Sequence, residues 1–117
     1  MIDSVQQCGL LASDLHSIRE AVKTLPAIEQ LILFGSRAKG THKTGSDVDL
    51  AIKGAAVTYE TALQLASILN EERPLPYFFD VVNYHTIENS LLLEHIDRVG
   101  VILFDRVAEK LENARTR

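Results

Sequence analysis

Leu31-Ile32-Leu33-Phe34-Gly35-Ser36-Arg37-Ala38-Lys39-Gly40, followed by Ser46-Asp47-Val48-Asp49-Leu50-Ala51-Ile52, decides how this chain is read. It has the pattern of an apolar strand, a glycine turn, a polar loop and a second strand carrying two acids. Side chains along a strand alternate between faces, so Asp47 and Asp49, two positions apart, point the same way. Two carboxylates on one face repel unless one takes a proton or a cation sits between them. Hard divalent cations such as Mg²⁺ prefer oxygen ligands and bind one or two carboxylates together with substrate phosphates. Upstream, Gly35 lets the backbone approach a ligand closely, and Ser36 offers a hydroxyl to a phosphate oxygen. A phosphate cradle beside paired acids is the layout of phosphoryl or nucleotidyl transfer.

Gly35-Ser36, the ten residues from Arg37 to Ser46, and then Asp47-Val48-Asp49 resemble the signature of the DNA polymerase β-like nucleotidyltransferase superfamily. The closer resemblance is to its minimal nucleotidyltransferases, small prokaryotic proteins many of which are antitoxins paired with a helical HEPN ribonuclease toxin. It spans residues 28–104. The resemblance implies an α+β fold, a mixed β-sheet of about four strands packed with helices. It also implies a third acid on a later strand, and Asp80 in Phe78-Phe79-Asp80-Val81-Val82 matches it. The closing segment, residues 96–104, is similar to the family's last helical turn, glycine break and terminal strand.

By the same resemblance Asp47, Asp49 and Asp80 are the catalytic acids and the ligands of two Mg²⁺ ions, with Asp80 the base toward the acceptor hydroxyl. Gly35 and Ser36 hold the β- and γ-phosphates of the donor, which the resemblance makes ATP. Arg37 and Ser46 are further candidates on the nucleotide side, Arg37 by phosphate contact and Ser46 by orienting Asp47 through a hydrogen bond. A charged loop is ordinarily just solvated, which is the competing account of Arg37, Lys39, His42 and Lys43. The implied reaction moves AMP onto a tyrosine of the cognate HEPN toxin.

At 117 residues the chain is expected to be a single domain over 1–117, with its core at 28–104 and a polar helix or tail at 105–117. A formal net charge of −4 with no long basic run does not favour direct nucleic-acid binding. The single cysteine, Cys8, cannot form an intramolecular disulfide, and no leader pattern or membrane-length apolar run is present. The expected location is cytoplasmic.

Val5, Cys8, Leu11, Ala12, Leu15, Ile18, Val22 and Leu25 recur at helical spacing and predict an amphipathic helix over residues 3–24, broken by Pro26. Strands are predicted at 28–34, 47–53, 78–83 and 101–104, with a loop at 37–45 that has room for one helical turn after Ser36. Helices are predicted at 58–70, then from a Thr86 N-cap through Ile87, Leu91, Leu92 and Ile96, and finally as a fraying helix after Asp105. The first two strands are joined too closely to be parallel, since a parallel crossover needs about a dozen residues or more. Cys8 is expected in the core. His16, His85 and His95 have no metal-ligand spacing.

Two other functions compete with the antitoxin enzyme. One is a partner that inhibits a HEPN protein by contact alone, with a regulatory or vestigial nucleotide site. The other is a small-molecule nucleotidyltransferase, which needs a second domain or subunit to hold its acceptor. Little chain follows Phe104 to supply one, so homo- or hetero-oligomerisation is expected.

Overall fold

The computed structural model describes residues 8–115. Its elements run α1 (Ala12–Lys23), β1 (Gln30–Phe34), α2 (Ser36–Lys39), β2 (Val48–Lys53), α3 (Tyr59–Ser67), β3 (Phe79–Asn83), α4 (Ser90–Val99), β4 (Val101–Asp105) and α5 (Arg106–Arg115). A π-helical turn, Ile68–Glu72, prolongs α3, and a 3-10 turn, Tyr84–Thr86, follows β3. The four strands form one mixed sheet in the order β3-β2-β1-β4. β1 pairs antiparallel with β2, as its short connection requires, and β2 pairs parallel with β3 through the α3 crossover.

The middle strands are apolar because both sides of the sheet are covered. On one face Leu15, Ile18 and Val22 of α1 and Leu65 of α3 pack on Leu31, Leu33, Leu50, Ile52 and Phe79. The alternate positions Ile32, Phe34 and Ala51 meet Ile96 of α4 on the other. Asp49 and Asp80 fall on this second, more thinly covered face by the same alternation.

Several boundaries differ from the periodicity. The part of the first helix assigned to residues 3–7, Val5 included, lies outside the described residues. Gly9 turns the chain at φ 76°, so Cys8 and Leu10 reach the core from outside the helix, and Leu11, counted on its apolar face, is exposed at the N-cap. Asn89, not Thr86, caps α4, because its Oδ1 accepts from the N–H groups of Leu91 at 2.9 Å and Leu92 at 3.1 Å. Thr86 closes the 3-10 turn by donating to the Asn83 carbonyl.

The entry into β3 is held by one amide. Asn70 Nδ2 donates to the Phe79 carbonyl at 2.9 Å, while its Oδ1 accepts from Phe79 N–H at 2.8 Å. Asn70 sits in the π turn and acts on Phe79 as a neighbouring strand would. Asn70→Ala is expected to leave both groups unpaired and cost roughly 1–3 kcal/mol, read by chemical denaturation; an unchanged midpoint would deny the clamp.

Candidate active site

Gly35 ends β1 at φ 80°, in the left-handed region that favours glycine. A Cβ there would collide with the Asp49 carboxylate, so the glycine lets the acid lie directly against the strand end. Ser36 opens the single turn of α2, which Gly40 closes at φ 77°. Its carbonyl accepts from Thr41 N–H at 2.9 Å, and its hydroxyl makes no hydrogen bond among the described residues.

The parallel register pairs Asp49 with Asp80 directly across β2 and β3. Asp47 immediately precedes β2 and is exposed, as is Asp80, whereas Asp49 is half-buried. Burial first, then the charges of Asp80 and Asp47, push the Asp49 carboxyl above its ordinary range; His95 acts the other way. None of the three acids has an ion-pair partner among the described residues. Their all-oxygen donor set suits a hard divalent cation. Among the described residues, however, no three side chains are already closed into a metal-holding group.

His95 joins this group from α4. Its Nε2 accepts from Gly35 N–H at 3.1 Å, and its ring stands edge-on to Phe34 with centroids 6.2 Å apart. The ordinary metal-spacing test missed it. The available signal was a polar residue within the stripe formed by Leu92 and Ile96.

Arg37 departs from the expected phosphate contact. It is 97% buried (3% exposed). Its Nη1 donates to the Cys8 carbonyl at 2.7 Å, and Nε and Nη2 donate to the Ser46 carbonyl at 3.2 and 3.0 Å. The guanidinium also lies 5.0 Å from the Tyr77 ring centroid. Ser46 differs too, since its hydroxyl accepts from Lys43 N–H at 2.9 Å and makes no bond to Asp47. Both residues shape the loop that delivers Asp47.

A raised Asp49 pKa means that the folded chain holds this proton more tightly than the unfolded chain does. That stability is fully present below the ordinary carboxylate range and is lost as pH rises through the raised value. At neutral pH the metal-free protein therefore carries a penalty, reduced by solvent screening because Asp49 is only half-buried. Asp49→Asn is expected to raise Tm by roughly a few degrees near pH 7.5 and to shrink that gain in acid. Thermal unfolding across pH reads both, and a lowered Tm at neutral pH would contradict the penalty.

The family model described as Polymerase beta, Nucleotidyltransferase matches residues 16–109, covering the sheet and Asp47, Asp49 and Asp80. A toxin–antitoxin structure with AMP-PNP is 23% identical, covering 88% of this chain and 83% of its own, with a TM-score of 0.66. A chain from the structure of a tri-AMPylated Shewanella oneidensis HEPN toxin in complex with MNT antitoxin is 19% identical, with coverages of 82% and 76% and a TM-score of 0.54. A putative nucleotidyltransferase from Sulfolobus solfataricus is 18% identical, covering 90% of this chain and 86% of its own, with a TM-score of 0.53. No curated protein matches. At these identities the structures establish a shared fold, and the match across 16–109 establishes more: the chain belongs to the polymerase beta nucleotidyltransferase family.

Proposed function

We propose that this chain transfers AMP from ATP to a tyrosine hydroxyl of a cognate HEPN toxin and so acts as an antitoxin. The observation that carries the transfer chemistry is Asp49 lying between Asp80, its register partner, and Gly35, which has no side chain to obstruct it. The antitoxin role is supported by the likeness to toxin–antitoxin structures, one of which contains an AMPylated HEPN toxin.

In this reading Asp47, Asp49 and Asp80 hold Mg²⁺, which neutralises phosphate charge and lowers the acceptor's pKa when bound. The acceptor oxygen attacks the α-phosphorus, the bond from that phosphorus to the bridging oxygen breaks, and pyrophosphate leaves. Asp80 takes the hydroxyl proton. The Gly35 N–H and Ser36 hydroxyl donate to the departing phosphates. Because His95 Nε2 holds that N–H, phosphate must take the imidazole's place. An adenylate on the toxin adds bulk and negative charge where RNA would bind.

Intact-mass analysis of the protein encoded beside this chain, after incubation with this chain, Mg²⁺ and each NTP, tests the reading. AMP-sized increments are expected with ATP. The Asp47→Asn/Asp49→Asn double variant is expected to lower transfer by at least about a hundredfold while complex formation persists. A stable complex with no mass change from the wild type would replace the enzyme by a contact inhibitor.

A further inference from the structure

Phe78 is an apolar ring left in solvent beside the acids. It is 59% exposed although it directly precedes β3. Tyr77 and Phe79 flank it and pack together on the α1/α3 side of the sheet, edge to face with ring centroids 6.0 Å apart. Alternation therefore turns Phe78 to the opposite face, the side of Asp80. The register that pairs Val48 with Phe79 and Asp49 with Asp80 puts Phe78 level with Asp47.

Its backbone is fixed on both sides. The Phe78 carbonyl accepts from Val48 N–H at 2.9 Å, and the next residue is clamped by Asn70. Pro74 and Pro76 restrict the approach to the strand. The ring is thus exposed on a rigid platform, not carried on a mobile loop.

The order of the strands says which substrate it meets. An in-line displacement sets the attacking oxygen opposite the leaving pyrophosphate. In that transfer reading the pyrophosphate lies against Gly35 and Ser36 after β1; Asp47 and Asp49 follow at the start of β2, and β3 lies beyond them. The acceptor must then enter over β3, across Asp80 and Phe78, whereas the nucleoside branches off the α-phosphorus to one side of that line. Resting on the transfer reading above, we infer that Phe78 is a specificity-determining residue that stacks on the aromatic ring bearing the acceptor hydroxyl. It favours a phenolic acceptor over an aliphatic one.

The test compares wild type with Phe78→Ala, Phe78→Leu and Phe78→Trp, using the protein encoded beside this chain as acceptor and ATP titration as a separate readout. Ala and Leu are expected to raise the acceptor KM about tenfold, Trp to restore it, and none to change the ATP Kd. A Leu variant as good as wild type would overturn ring stacking, as would an unchanged KM in the Ala variant. Weakened ATP binding with an unchanged acceptor KM would assign the ring to the nucleobase instead. If wild type modifies no acceptor while still binding ATP, the transfer reading falls and this inference with it; normal wild-type transfer with indifferent Phe78 variants removes this inference alone.

Discussion

Parallel pairing of β2 with β3 in the register that sets Asp49 opposite Asp80 is the constraint on which the site depends. Like charges directly across a sheet are unfavourable, so something else must hold the strands there. The core does. A slip of β3 by one residue would turn Phe79, 1% exposed, out of the α1/α3 core and drive Asp80 into it. Apolar burial on one face thereby enforces acid crowding on the other. Burial first, and then that crowding, raises the Asp49 pKa, and cation binding is the natural way to relieve both.

The loop between β1 and β2 is held by a cation that never meets the acids. Arg37 ties the Cys8 carbonyl to the Ser46 carbonyl and stacks on Tyr77, whose hydroxyl donates to buried Asp14 of α1. One guanidinium so joins the segment before α1, the residue before Asp47 and the approach to β3. Only a flat, multiply donating group can serve carbonyls from separate segments and an aromatic face together. Arg106 repeats the device at the other end of the sheet. It donates to the carbonyls of Ile28, Val22 and Leu25, fastening the start of α5 to the α1–β1 connection.

Much of this was legible because its causes are local. Glycine, serine and two acids at fixed spacing announce a turn and a charged strand, and the short β1–β2 link forces antiparallel pairing. Asp80 was legible only through resemblance, since a lone acid on an apolar strand has ordinary explanations. Arg37 misled because a basic residue in a polar loop looks solvated or ligand-bound; its carbonyl partners come from Cys8 and Ser46, and only folding brings them together. His95 and Phe78 were silent for the same reason. His95 meets Gly35 from sixty residues away, and Phe78 acquires meaning only from its register with Asp47. The α4 boundary was lost to two nearby capping residues, between which sequence spacing cannot choose.

The central claim is that the acids across β2 and β3, with Gly35 and Ser36, form a metal-dependent nucleotide site. A crystal structure grown with Mg²⁺ and a non-hydrolysable ATP analogue tests it most directly. The account predicts a cation between Asp47 and Asp49 that also touches the phosphates, with the terminal phosphates against Gly35 N–H and the His95 imidazole moved off it. A nucleotide bound elsewhere, or bound with no cation on these carboxylates, would contradict it.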